Sequence, residues 1–270
     1  MLKKSVALLA GAFVACSAWA QSAEVTLTRL DCGTGAKPAD VAVRFSDTFA
    51  YGPSKPMQFT FSCYLIKHGS DYMVWDTGFA PGSNDNAPKV SLADQLGQVK
   101  VTPDMVKYVG ISHFHADHTG QLSQIPNATL LIGKNEWDAI TAPTPMQGAN
   151  VAGFKHWISE GGKVEPQPID KDVFGDGSVI MLRTPGHTPG HSSLLVKLQQ
   201  MGPVILTGDA VHFHENLETE GVPAFNYDRA QTLASLQRLK KIAENLKATI
   251  IIQHDARDIE KLPVFPAFAK

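Results

Sequence analysis

The sequence predicts one α/β domain behind a short leader, and three observations carry that reading. Short runs rich in β-branched and aromatic residues alternate with helical patterns along the chain. No low-complexity segment or linker divides the 270 residues. An apolar fraction of 43% with 19% charged residues is enough for a sizeable core and too apolar for a disordered chain.

The leader comes first. Lys3 and Lys4 precede an apolar run over 6–14 that is too short to span a bilayer, and Ala18-Trp19-Ala20 is an A-x-A cleavage signature. Residues 1–20 are therefore expected to act as a signal peptide, leaving 21–270 as a single domain exported to the periplasm or the medium. The alternative is lipid anchoring at Cys16, disfavoured because Phe13 stands where a leucine is usual. No later stretch approaches the ~18 apolar residues of a membrane helix. Cys32 and Cys63 each lie near the end of a candidate strand, so in an oxidising compartment a disulfide and two buried thiols are both open.

Strands are expected over 25–30, 61–67 and 72–75, the last running into the turn Asp76-Thr77-Gly78. Residues 52–56 and 81–88 read as Pro/Gly/Asn-rich loops. Thr102-Pro103-Asp104 is a helix start, with Thr as N-cap and Pro at the first helical position. A buried strand follows over 108–112, then a strand over 128–132 and a helix over 134–141. The second half offers strands over 179–182, 193–198 and 204–206. The strongest helix spans 228–246, with Leu233, Leu236, Leu239, Ile242, Ala243 and Leu246 as one apolar stripe that belongs to core packing. A last buried strand over 249–252 ends at His254.

Five of the ten histidines (His113, His115, His118, His187 and His254) fall at or just beyond predicted strand ends, as do Asp117 and Asp209. Ligands on loops at one sheet edge suit a site held by a rigid scaffold. In the run His113-Phe114-His115-Ala116-Asp117-His118, residues two apart in an extended loop point the same way. His113 and His115 can therefore grip one ion, and Asp117 and His118 a second. Imidazole and carboxylate donors suit zinc and also manganese or iron. With 24 basic and 26 acidic side chains and a net charge of −2, nucleic acid is not an expected partner.

The H-x-H-x-D-H run after a short strand resembles the signature of the metallo-β-lactamase superfamily. Accessory motifs follow the same order: Asp76-Thr77-Gly78, Thr184-Pro185-Gly186-His187-Thr188-Pro189-Gly190-His191, Leu206-Thr207-Gly208-Asp209 and Ile252-Gln253-His254-Asp255. The resemblance implies an αββα sandwich. It also implies a cage for two divalent metal ions, zinc foremost with iron or manganese as alternatives. His113, His115 and His187 would hold one ion, Asp117, His118 and His254 the other, and Asp209 would bridge them. Asp76 would support the metal loop from behind, and His191 would be structural. In such a site a water shared by two cations loses its proton near neutral pH and attacks a carbonyl, with Asp117 as proton shuttle.

Asp209 directs the choice of substrate. Typical zinc β-lactamases carry Cys or Ser at that position, whereas lactonase relatives carry Asp. Only residues 255–270 follow His254, so the further domains of other relatives are not expected here. The sequence is most similar to the N-acyl homoserine lactonase group, hydrolases that open the lactone of quorum-sensing signals (quorum quenching). The implied partner is a small acylated lactone. One departure stands out: His212 occupies the place where that group has a Tyr near the substrate carbonyl, and a catalytic role is expected for it alongside Asp117. Phe213, Leu217, Phe225 and Tyr227 are candidates to line an acyl pocket; His214, His68 and His156 are expected to be bland. The alternatives are another ester or amide hydrolase of the fold, including a β-lactamase-like one, and a non-catalytic periplasmic metal-binding protein.

Overall fold

The computed structural model describes residues 23–49 and 51–270. The expected leader, its cleavage site and Cys16 lie outside them. In chain order the elements are β1 (Val25–Thr34), β2 (Ala39–Asp40), β3 (Pro56–Met57), β4 (Thr60–His68), β5 (Asp71–Trp75), α1 (Leu92–Gln98), β6 (Val106–Gly110), α2 (Ala116–Thr119), β7 (Thr129–Gly133), α3 (Lys134–Thr141), α4 (Lys155–Ser159), β8 (Val164–Gln167), β9 (Lys171–Asp172), β10 (Val179–Arg183), β11 (Ser192–Leu198), β12 (Gly202–Leu206), α5 (His214–Thr219), α6 (Arg229–Leu246) and β13 (Thr249–Ile251). A six-stranded sheet runs β1-β4-β5-β6-β7-β8, and a five-stranded sheet runs β13-β12-β11-β10-β9.

The period-2 alternation of the strands explains the layering. Tyr64, Ile66, Met73 and Trp75 of the first sheet meet Met181, Leu194, Val196 and Leu206 of the second, forming the inner core. The alternate residues of β4, Cys63 and Leu65, face outward onto Leu92 and Leu96 of α1 and Ile140 of α3. On the far side, Leu195 and Ile205 pack on Leu239 and Ala243 of α6. Two sheets face to face with helices on both outer faces make the expected αββα sandwich.

All nine predicted strands are present, with ends moved by at most four residues. The strand expected over 108–112 instead spans Val106–Gly110, so Ile111 and Ser112 already belong to the ligand loop. The helix start at Thr102 yields a single 3-10 turn, Pro103–Met105, because β6 begins at once. In α6 Asp228 is the N-cap, and its carboxylate accepts from the backbone N–H of Gln231. The stripe on α6 is rotated from the expected one. Thr232, Ser235, Leu236, Leu239 and Ala243 are buried, Leu233 and Ile242 are half-buried, and Leu246 is exposed. The rotation has a local cause. Gly186 (φ +136°) leaves no room for a Cβ beside the backbone of Thr232, and Ser235 donates to the Pro185 carbonyl at 2.7 Å.

Cys32 and Cys63 form a disulfide between β1 and β4, with Cα atoms 5.8 Å apart. Among the described residues, no helix is long and apolar enough to cross a membrane.

Candidate metal centre and its cavity

Each of the five motifs follows the C-terminal end of a strand. Asp76 follows β5, the His113 loop β6, the His187 loop β10, Asp209 β12 and His254 β13. Strand pairing thus delivers all of the chemistry to one edge of the sandwich. The structure brings His113, His115, His187 and Asp209 into one group of facing donor atoms, and Asp117, His118, Asp209 and His254 into another.

Asp209 stands between the groups. Its Oδ1 lies 2.8 Å from His254 Nε2 and 3.1 Å from His118 Nε2. Its Oδ2 lies 3.3 Å from His187 Nε2 and 3.6 Å from His113 Nε2. Asp117, half-buried, has Oδ2 3.6 Å from His118 Nε2 and 3.7 Å from His254 Nε2.

The outer hydrogen bonds fix which ring nitrogens face inward. His118 Nδ1 donates to Asp76 Oδ2 at 2.9 Å, His254 Nδ1 to the Thr60 carbonyl at 2.8 Å, and His187 Nδ1 to Asn226 Oδ1 at 2.9 Å. Asn226 is itself oriented, because its amide donates to Thr232 Oγ1 at 2.8 Å. Ser112 Oγ donates to Asp76 Oδ2 at 2.8 Å, which leaves it to accept from His113 Nδ1 at 3.1 Å. With its Nδ1 proton committed outward, each of these rings turns its Nε2 inward. The two inward nitrogens of His118 and His254 are 3.2 Å apart, and Asp209 Oδ1 is buried without a hydrogen-bond donor. Lone pairs converging at these distances repel unless a cation lies among them. The second group fits a divalent ion on this ground, and His113 Nε2 facing His115 Nδ1 at 2.8 Å makes the same case for the first.

The electrostatics agree. Burial, reinforced by neighbouring histidines, pushes His113 and His187 well below the ordinary imidazole value. Burial opposes charge on Asp209 too, yet His254, His118, His212 and His113 hold it well below the usual carboxylate range. On His118, burial is outweighed by Asp209, Asp117 and Asp76, which hold it well above its ordinary value. A field that favours a proton there favours a dication more.

Asp76 is the anchor beneath the second group. It is fully buried and adopts φ +57°, a left-handed bend that Asp tolerates better than most residues. The bend lets one carboxylate accept from Ser112 N, Ser112 Oγ, His118 Nδ1 and Gln253 Nε2. His191 is buried outside the cage. Its Nδ1 donates to the Thr184 carbonyl at 3.0 Å and its Nε2 accepts from the Asp209 N–H at 2.9 Å, so it positions Asp209. Burial lowers its pKa to about 4, in keeping with a neutral ring.

His212 is 1% exposed, so it is no surface histidine. Its Nε2 lies 3.1 Å from Asp209 Oδ2, its ring stacks on His254, and its Nδ1 is buried without a partner. The cage opens into a cavity of about 1090 Å³. His115, Asp117, Asp209 and His212 are among its polar lining, while Phe45, Phe59, Phe61, Phe79 and Phe225 give it apolar walls. Of the four expected pocket residues, Phe225 and Tyr227 line it. Phe213 is fully buried beneath Phe45 and Phe59, and Leu217 packs by Val211 and Leu236. His214 pairs with Asp258, His68 with Asp176 and His156 with Glu160, all away from the cage.

Several site residues were not anticipated. Ser112 and Gln253 sit inside or beside quoted motifs, and that adjacency was the available signal. Asn226 and Glu136 had none. The aromatic wall had a weak one: Phe45, Phe49, Phe59 and Phe61 crowd a short segment.

With this geometry in hand, comparison with known proteins is specific. The family model of the metallo-beta-lactamase superfamily matches residues 61–254. An N-acyl homoserine lactonase AttM of Rhizobium radiobacter is 35% identical over 184 residues, covering 64% of this chain and 68% of the relative. An N-acyl homoserine lactonase of Bacillus thuringiensis is 30% identical over 237 residues, covering 81% and 90%. A solved N-acyl homoserine lactone hydrolase, with the product N-hexanoyl-L-homoserine bound at its catalytic metal centre, superposes with a TM-score of 0.74. It is 27% identical, with 92% of this chain and 100% of that one covered.

Proposed function

The chain belongs to the metallo-β-lactamase superfamily, and from that premise we propose that it is a two-metal hydrolase that opens the lactone ring of N-acyl homoserine lactones. The observation that carries the reading is Asp209, whose two oxygens face two separate sets of histidines at the floor of an apolar-walled cavity. His113, His115 and His187 would hold one ion, Asp117, His118 and His254 the other, and Asp209 both; the histidine and carboxylate donors suit zinc. Bound there, the ions supply Lewis acidity to a carbonyl and an acidified water near neutral pH.

The chain's own groups do the rest. The phenylalanine walls accept an acyl chain and exclude water from it. Asp117 lies at the cavity floor and is only half-buried, so an oxygen left free can carry the proton to the departing alkoxide. His212 lines the cavity beside Asp209, and that ring is assigned to the lactone carbonyl, in place of the tyrosine expected from the resemblance. Export is part of the proposal; the Cys32–Cys63 bond supports an oxidising compartment.

The test is a substrate panel on metal-reconstituted protein: homoserine lactones of varied acyl length and a β-lactam. Lactone opening that Asp117→Ala abolishes is expected. Failure to open any lactone refutes the proposal, and cleavage of the β-lactam alone points to a different hydrolase. His212→Phe should cost about tenfold or more in kcat/KM and His212→Tyr should restore much of it. Sequencing the mature N-terminus tests cleavage after Ala20.

A further inference from the structure

Glu136 is a buried carboxyl for which the chemistry above has no use. It lies in the first turn of α3 with no exposed surface. Its Oε1 accepts from the Phe114 N–H at 2.8 Å, and its Oε2 accepts from the Gly190 N–H at 2.9 Å. Phe114 stands between His113 and His115, and Gly190 follows His187 in the next ligand loop. One side chain thus ties together two loops that carry three imidazoles.

The backbone is arranged to permit this tie. A Cβ on Gly190 would come within 2.1 Å of the Glu136 nitrogen, and a Cβ on Gly133 within 2.0 Å of the Gly190 oxygen. The start of α3 is therefore wedged against the His187 loop with clearance only for glycine. The other end of the same loop pair is closed by Ser192 N donating to the Ser112 carbonyl at 2.9 Å. The Glu136 bonds themselves end at Phe114 and Gly190, whereas His118 and His254 of the second group hang from Asp76, beside Ser112 Oγ, and from the Thr60 carbonyl.

We infer that Glu136 is a positioning residue for one ion alone, the one assigned to His113, His115 and His187. It sets the spacing of the two ligand loops, as Asp76 sets the orientation of His118 for the other ion. The inference rests on the two-ion reading above. It goes beyond that reading in giving the first ion a support that does not bond to the ligands of the second.

Glu136→Gln keeps the shape but offers one acceptor to two N–H groups, so one loop is released. The full chain is loaded with zinc, and a chromophoric chelator reads the two affinities. Cadmium NMR, with the resonance lost in His187→Ala as marker, reads which ion is affected. Glu136→Gln should weaken the marked ion about 10- to 100-fold and leave the other within about twofold. Equal weakening of both ions, or a fall in Tm with both affinities intact, overturns the inference. Gly190→Ala forces the same contact from the opposite side and should show the same selectivity; it decides the matter if Glu136→Gln does not fold. A wild-type chain that binds fewer than two ions would instead refute the two-ion reading.

Discussion

Replacing Asp76 by Asn removes one charge and one acceptor oxygen from a position where the backbone bend is tolerated by both residues, so backbone strain does not confound the result. The carboxylate serves four donors, from Ser112 N, Ser112 Oγ, His118 Nδ1 and Gln253 Nε2. An amide has one oxygen with two lone pairs and brings two donors of its own. The Ser112 hydroxyl can turn and accept from the new amide, but at least one buried donor loses its partner. Each such loss costs about 1–3 kcal/mol, and bonds to a charged acceptor are worth more than those to a neutral one, so a destabilisation of about 2–5 kcal/mol is expected. That is a large part of the stability of a typical domain. The assay is urea unfolding of metal-free wild type and variant, followed by chelator competition on the loaded proteins. The ion assigned to Asp117, His118 and His254 should weaken about 10- to 100-fold, because His118 loses its charged anchor. A variant within about 0.5 kcal/mol of wild type that binds both ions normally would refute the assignment of Asp76 as anchor.

Other outcomes follow from the same geometry. Burial raises the Glu136 carboxyl from 4.5 to about 7, against two backbone hydrogen bonds that pull it down. The folded state therefore holds that proton more tightly than the unfolded chain. The resulting stability is fully present below pH 4.5 and is lost as pH rises through 7. It amounts to about 3 kcal/mol, and unfolding of metal-free Glu136→Gln across that window should lack the slope. The Cys32–Cys63 bond closes a span of 31 residues, so its loss in a Cys32→Ala/Cys63→Ala variant should cost about 3–4 kcal/mol; an unchanged unfolding midpoint would contradict this. Phe225 meets Phe45, His187 and His212 edge-on at 5.6–5.8 Å. Phe225→Ala should lower kcat/KM for long-chain lactones about tenfold relative to short-chain ones, and equal losses would remove it from the acyl wall.

The sequence exposes those parts of the site whose partners are near in the chain. The ligand motifs are short words placed directly after strands, and strand alternation such as that of Tyr64 and Ile66 against Cys63 and Leu65 is visible without a structure. The two-residue strands β2 and β3 are not, since each is defined only by its pairing with the other. Glu136 is opaque for the same reason: its acceptor oxygens meet residues 22 and 54 positions away. The α6 stripe was displaced because Thr232 and Ser235 are buried by contacts with Gly186 and Pro185, which hydropathy alone does not weigh. Phe45 and Phe225 come from opposite halves of the chain and meet at 5.6 Å only once the sandwich closes. His212 shows both limits at once. The motif beside it located the residue, but only the fold could reveal that it is buried against Asp209.

The most direct test of a two-ion lactone hydrolase is a metal titration of chelator-stripped protein, with opening of N-hexanoyl homoserine lactone followed by acid release at each ratio of ion to chain. Two bound ions per chain, with hydrolysis appearing as they bind and lost again on chelation, is the predicted result. Undiminished hydrolysis by the stripped protein, or two bound ions with no lactone opening, would contradict it.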